Sequence, residues 1–173
     1  MSGKKRRAPG CTSTTRSKSA SQAYARHVDT PTFQIGRSNA HVSVSPSRRE
    51  LPEVTEYWDG NWVYATISIV AGGFRGAFEA QLRTEEFVRF RDELRPLHDR
   101  LVGRAKFDTM EEWLAIDIVG DGKGHFHADC VAVDMPGTGN RLTFGIDFDQ
   151  TDLPEMLREL DAITKLFPVV GAP

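Results

Sequence analysis

Cysteine is scarce in this sequence, and its two cysteines lie in unlike surroundings. Cys11 is in a polar segment, whereas Cys130 is in a run of alternating apolar residues. Small secreted domains that depend on disulfides carry several paired cysteines, so the composition argues against that class. Long apolar runs are also missing, and none approaches the roughly 20 residues that a membrane-spanning helix needs. These absences predict a soluble protein in the reducing cytoplasm, with no membrane as a partner.

The charges are nearly balanced over the whole chain but unevenly distributed along it. Residues 1–31 contain seven Lys and Arg and one acidic residue, a net charge of +6. The remainder has 22 − 7 = 15 basic and 24 − 1 = 23 acidic residues, a net charge of −8. We expect a disordered basic tail over residues 1–31, followed by one domain over residues 32–173. A further hypothesis is that the tail is a non-native extension, with Val28 corresponding to an alternative start.

Alternating apolar residues predict several β-strands. In WVYATISIV, Val63 and Ile67 point to one side, while Trp62 and Tyr64 point to the other. A glycine pair at 72–73 supplies a turn, and FRGAFEAQL completes a hairpin. A short entry hairpin near residues 33–45 and four strand-like segments between 105 and 148 extend the pattern.

Two helices are predicted from apolar residues spaced three and four apart. The first begins with Thr84 as its N-cap, runs through Pro96 and ends at Gly103. The second follows Thr151 or Asp152 and covers the segment LPEMLRELDAITKLF. The pattern predicts an α+β fold, with an antiparallel sheet of about six to seven strands and both helices packed on one face.

The face of this sheet that the helices leave open is the candidate recognition surface. Aromatic side chains there are typical anchors of protein–protein interfaces, and aspartates would supply complementary charge. The candidate partner-binding residues are Trp62, Tyr64, Trp113, Asp117, Asp129 and Asp147. In the segment YWDGNW we expect Asp59-Gly60 to form a turn that Asn61 supports. Trp58 is expected to cover the end of the strand.

A metal-dependent enzyme is the alternative function. His125, His127 and Asp129 alternate along one strand and would point to the same side, as metal ligands can. Solvated strand histidines are the more common explanation, so we predict no catalytic residue, no metal and no cofactor. Nucleic-acid binding through the basic tail is disfavoured, because the acidic domain repels phosphate.

Three segments carry a resemblance to a known family: YWDGNWV at 57–63, LTFGIDFDQTDLPEML at 142–157 and LFPVVG at 166–171. Through them the sequence resembles the WapI-type immunity proteins over about residues 33–173. The resemblance implies a protein, not an enzyme, that binds and neutralises a polymorphic toxin; for the namesake this is a nuclease delivered between neighbouring cells. An excess of acidic residues suits a basic, nucleic-acid-binding toxin.

Overall fold

The computed structural model describes residues 30–173 and confirms the α+β class. The predicted basic tail lies almost entirely outside these residues. The first half contains β1 (Phe33–Arg37), β2 (Ala40–Arg49), α1 (Tyr57–Gly60), β3 (Trp62–Ala71), β4 (Phe74–Arg83) and α2 (Thr84–Arg100). The second half contains β5 (Val102–Asp108), β6 (Leu114–Asp121), β7 (His125–Val133), β8 (Arg141–Asp149) and α3 (Leu153–Leu166). No helix within residues 30–173 has both the length and the apolar character required to cross a membrane.

The strands form two sheets, which corrects the prediction of one sheet with six to seven strands. The first sheet has the order β1-β2-β3-β4 and the second has the order β5-β6-β7-β8, all antiparallel. Each sheet is a meander of consecutive strands, whereas α2 separates β4 from β5. Spacing along the chain cannot show whether the strands on either side of a helix pair with each other, and here they do not.

The predicted central hairpin is confirmed. Its register puts the residues that were predicted to share a side of β3 on the same face of the sheet. Val63 pairs with Leu82, and Ile67 pairs with Phe78, on the inner face. Trp62 pairs with Arg83 on the other face. The turn includes Gly72, whose φ of 62° is a conformation that glycine adopts easily.

Both predicted helices are present, with shifted ends. Arg83 occupies the N-cap position of α2, and Thr84 is the first helical residue rather than the cap. Glu86 supports this start by accepting a hydrogen bond from the backbone N–H of Arg83 at 3.0 Å. The helix continues through Pro96 to Arg100, and its C-cap, Leu101, has a left-handed φ of 60° two residues before the predicted stop at Gly103. Helix α3 follows Asp152, as predicted.

One hydrophobic core joins the inner faces of both sheets to the apolar sides of α2 and α3. At its centre four phenylalanine rings from three elements lie with neighbouring centroids 5.3–6.2 Å apart, namely Phe33 of β1, Phe87 and Phe90 of α2, and Phe107 of β5. The sheets approach closely at Gly36, where a Cβ atom would collide with the Ile146 side chain of β8. Burial of both inner faces leaves the outer faces of the two sheets for recognition.

Candidate interaction surfaces

The segment YWDGNW, residues 57–62, forms a short helix and the start of β3. Glu56 caps the helix by accepting hydrogen bonds at Oε2 from the backbone N–H groups of Trp58 at 2.9 Å and Asp59 at 3.1 Å. The helix ends at Asn61, and β3 begins at Trp62. The predicted Asp59-Gly60 turn is therefore the last part of a helical turn.

Asn61 is fully buried and forms four hydrogen bonds that join three parts of the chain. Its Nδ2 donates to the carbonyl oxygens of Tyr57 at 2.8 Å and Val170 at 2.9 Å. Its Oδ1 accepts from the backbone N–H of Val170 at 2.9 Å and from the hydroxyl of Thr84 at 2.8 Å. Two donors and two accepted bonds satisfy the amide. The predicted local support by Asn61 is present, and most of its bonds are long-range.

Glycines allow the C-terminal segment, residues 168–171, to lie directly against this helix. A Cβ atom at Gly60 would lie 2.5 Å from the Val54 carbonyl oxygen and 2.8 Å from Val170 Cγ2. A Cβ atom at Gly171, where φ is +69°, would lie only 2.7 Å from the backbone nitrogen of Tyr57. The two segments YWDGNWV and LFPVVG therefore meet in space, and the hydrogen bonds between Asn61 and Val170 join them.

Arg83 explains why the large aromatic residues gather at residues 57–62. Its side chain is only 3% exposed, and it donates hydrogen bonds to the carbonyl oxygens of Trp58 at 2.9 Å and Tyr57 at 3.1 Å. An ion pair with Glu85 balances its charge. Its guanidinium carbon lies 5.2 Å, 5.4 Å and 5.2 Å from the ring centroids of Tyr57, Trp58 and Trp62, within the range of cation–π attraction.

The two tryptophans of this segment have different surroundings from those predicted. Trp58 is 55% exposed, so the prediction that it covers the end of the strand is wrong. Its ring lies at the rim of the cluster, in edge contact with Tyr57. Trp62 is half-buried on the outer face of the first sheet beside Tyr64, as alternation predicts.

Trp62 and Trp113 come together in what we call the tryptophan groove. This open cavity of about 500 Å³ lies where the ends of the two sheets meet, and it is lined by Glu50, Trp62, Gln81, Glu111, Trp113, Met135 and Pro136. Trp113 precedes β6 instead of lying within it, and its ring stacks on Phe78 with centroids 6.2 Å apart. Tyr64 adjoins the groove through Glu50, since its hydroxyl lies 3.4 Å from Glu50 Oε1.

Three of the predicted residues lie on the outer face of the second sheet, which we call the acidic face. Asp117 pairs with Asp129 across β6 and β7, and His127 pairs with Asp147 across β7 and β8. The side chains of Asp129 and Asp147 are 80% and 88% exposed. Asp117 is bound through both carboxylate oxygens by Arg104, which reduces the repulsion between the two facing aspartates.

His127 lies between two of these carboxylates. Its Nδ1 is 2.6 Å from Asp147 Oδ1, and its Nε2 is 3.4 Å from Asp129 Oδ1. The hydrogen bond to Asp147 is the main cause that raises the pKa of His127, and Asp129 adds to it. Because all three side chains are at least half exposed, these contacts contribute little to stability.

The three residues of the alternative metal site, His125, His127 and Asp129, do not converge on one point. His125 lies 3.3 Å from Asp121, whereas His127 contacts Asp129 and Asp147. The positions 125 and 129 are about 13 Å apart along an extended strand, which is too far for one ion to bridge. Among residues 30–173, no group of three or more His, Cys, Asp or Glu is placed to hold a metal ion. Burial also raises the pKa of the Cys130 thiol to about 12, which keeps it from acting as a thiolate.

We expect isothermal titration of the protein with zinc to show no binding at micromolar concentrations, because His125 and His127 face different carboxylates. His125→Ala and His127→Ala variants serve as controls. A binding isotherm that both substitutions abolish would contradict this expectation and revive the enzyme alternative.

Sequence reasoning missed several residues of these surfaces. Arg83 was detectable, since the hairpin register predicted by the glycine turn places it opposite Trp62. Glu50, Glu111 and Met135 lie in connections between strands, where no periodic pattern marks them. Strand pairing brings Glu50 beside Trp62, since the Glu50 backbone N–H donates to the Trp62 carbonyl oxygen at 3.0 Å, and the packing of the two sheets joins these ends into one groove.

Comparison with known proteins agrees with the resemblance noted in the sequence. A search among curated proteins found no match to the chain. The model of the immunity protein WapI-like family matches residues 33–168, which is most of the chain and includes almost all of the described residues. The chain therefore belongs to the WapI-like family of immunity proteins.

Proposed function

We propose that this protein binds a cognate toxin domain and neutralises it by covering a basic surface of the toxin with its acidic face. Membership of an immunity protein family is the observation that carries the proposal. Family membership supports a binding module rather than an enzyme, and the dispersed histidines and the protonated, buried Cys130 are in keeping with that role.

The charge of the acidic face favours a basic partner. Its outward-pointing residues include six aspartates and three fixed cations, which leaves 6 − 3 = 3 excess negative charges when the histidines are neutral. The acidic residues are Asp108, Asp117, Asp121, Asp129, Asp147 and Asp149, and the cations are Arg104, Lys106 and Arg141. Such a surface attracts a basic domain from a distance and repels acidic partners.

A toxin that acts on nucleic acid has a positively charged substrate surface of the kind this face would cover. Neutralisation would then follow from exclusion of the substrate, and no catalytic residue of the immunity protein is required. Because charge attraction between exposed groups is screened by salt, association should slow as ionic strength rises.

We expect the gene immediately upstream to encode a toxin with a polymorphic C-terminal domain, and the direct test is co-expression with that domain. We expect the protein to restore growth and to co-elute with a catalytically inactive form of that domain on gel filtration. Absence of both growth and complex would defeat the proposed function.

The acidic face is tested by the triple variant Asp117→Asn, Asp129→Asn, Asp147→Asn. We expect it to weaken binding of the inactive toxin domain on the order of 100-fold, mainly through slower association at low salt. The matched control neutralises three exposed acids elsewhere, Glu53→Gln, Asp59→Asn and Asp99→Asn, and should bind nearly as wild type. Equal weakening by both triple variants would show that net charge acts, and not this face.

A further inference from the structure

The tryptophan groove combines aromatic walls with uncompensated negative charge. Glu50 and Glu111 line it, and none of its lining residues is Lys, Arg or His. Within the part of the chain that the structure describes, neither glutamate takes part in an ion pair within 4.0 Å. We propose that this groove receives an arginine side chain of the toxin, held between the indoles of Trp62 and Trp113 and the carboxylates of Glu50 and Glu111.

Glu50 is held in place by neutral groups, which leaves its charge available. Its Oε1 accepts a hydrogen bond from Gln81 Nε2 at 3.0 Å and a longer one from the Tyr64 hydroxyl at 3.4 Å. These bonds orient the carboxylate without neutralising it. An oriented carboxylate loses less conformational freedom when a guanidinium binds, so the affinity is higher than for a mobile one.

The aromatic walls suit a guanidinium group. Within this protein, Arg48 already lies over the Tyr64 ring at 4.0 Å, and Arg83 lies 5.2 Å from the Trp62 ring centroid. The charge of Arg83 is balanced by Glu85, so it does not cancel the negative potential of the groove. Met135, 59% exposed at the edge, offers a flexible apolar surface for the aliphatic part of an incoming side chain.

Arginine fits this set of groups better than lysine does. Its planar guanidinium stacks on indole rings and can bond to a carboxylate through two N–H groups at once, whereas the lysine ammonium is a strongly hydrated point charge. The cavity of about 500 Å³ is large enough for one long side chain with adjacent backbone. This assignment rests on the proposed function, because it places the arginine on the toxin.

The chemistry of the groove can be tested without any toxin. Nuclear magnetic resonance of ¹⁵N-labelled protein resolves the indole N–H signals of the three tryptophans during titration with N-acetylarginine amide or with its uncharged isostere, N-acetylcitrulline amide. We expect the signals of Trp62 and Trp113 to shift with the arginine compound in the millimolar range and much less with the citrulline compound. The signal of exposed Trp58 is the internal control, and equal shifts at all three tryptophans or with both compounds would overturn the proposal.

The double variant Glu50→Gln, Glu111→Gln tests whether the groove takes part in binding the toxin. Glutamine keeps an oxygen acceptor for Gln81 and Tyr64 but removes both charges, so we expect unchanged folding and about tenfold weaker binding of the inactive toxin domain. Unchanged toxin affinity would overturn the assignment of the arginine to the toxin. If wild-type protein binds no toxin domain, the proposed function fails, while the titration still decides whether the groove accepts arginine.

Discussion

Replacement of Asn61 by alanine is expected to lower the free energy of unfolding by about 4 kcal/mol, because it leaves several buried polar groups without partners. Two carbonyl oxygens, one backbone N–H and one hydroxyl bond to the Asn61 side chain. Each buried group that loses its partner costs about 1–3 kcal/mol, reduced where water enters. Urea unfolding followed by circular dichroism measures the change.

A control of the same residue type separates this network from a general effect of losing asparagine. Asn140 lies on an exposed turn and bonds to Asp134, so Asn140→Ala should cost less than about 1 kcal/mol. Removal of residues 168–173 deletes Val170, which bonds to the Asn61 side chain. The truncation and Asn61→Ala therefore lose the same two hydrogen bonds. The combined loss should therefore be smaller than the sum of the two. Full additivity would contradict the coupling between the helix and the C-terminal segment.

Glu86 is expected to make the stability fall as the pH rises. This side chain is 3% exposed, and burial raises its pKa from 4.5 to about 7, against the opposing effect of hydrogen bonds from the backbone N–H groups of Met110 and Arg83. The folded protein holds the Glu86 proton more tightly than the unfolded chain does. Protonated Glu86 therefore makes its full contribution to the free energy of unfolding at pH values below the ordinary glutamate pKa. The contribution is lost as the pH rises toward the folded value. Between these two pH values, the free energy of unfolding should fall by up to about 3 kcal/mol because of Glu86.

The measurement compares wild type with Glu86→Gln in urea unfolding at about pH 5 and about pH 8. Glutamine does not titrate, so the stability of the variant relative to wild type should increase with pH by up to about 3 kcal/mol. Asp121, Asp134 and Asp149 have pKa values lowered below the ordinary aspartate value, so they stay ionised at both pH values and add no trend. His127, whose pKa is raised mainly by its hydrogen bond to Asp147, contributes equally to both proteins and cancels in the difference. Glu155→Gln, an exposed acid in the first turn of α3, is the control and should show no such dependence. A pH-independent difference for Glu86→Gln would refute the prediction.

The segment that identifies the family in the sequence serves the fold more than recognition. Tyr57 and Trp58 surround Arg83, and Asn61 joins the helix to the C-terminal segment. Of the tryptophans in this segment, Trp62 alone lines the tryptophan groove. Recognition is therefore expected at surfaces whose residues are not committed to these internal bonds, namely the acidic face and the groove.

Local patterns were sufficient for most of the secondary structure. Alternation with period two predicted the strands and assigned buried faces correctly for Val63 and Ile67, because each sheet has one face in the core. Spacing of three and four predicted the buried sides of α2 and α3. Helix ends were less accurate, since Arg83 and Leu101 adopt their roles through backbone conformation that residue type does not dictate.

Local patterns and motifs were enough to predict the α+β class, the faces of the strands, the acidic character of the domain and the family. Tertiary packing, in contrast, divides the strands into two sheets and places Trp62 and Trp113 in one groove. It also turns His125 and His127 to different carboxylates and brings Asn61 to Val170. Periodicity is a local property of the chain and shows only which side of its own helix or strand a residue faces. The bonds between Asn61 and Val170 and the shared groove of Trp62 and Trp113 depend on how separate elements pack, which no local pattern encodes.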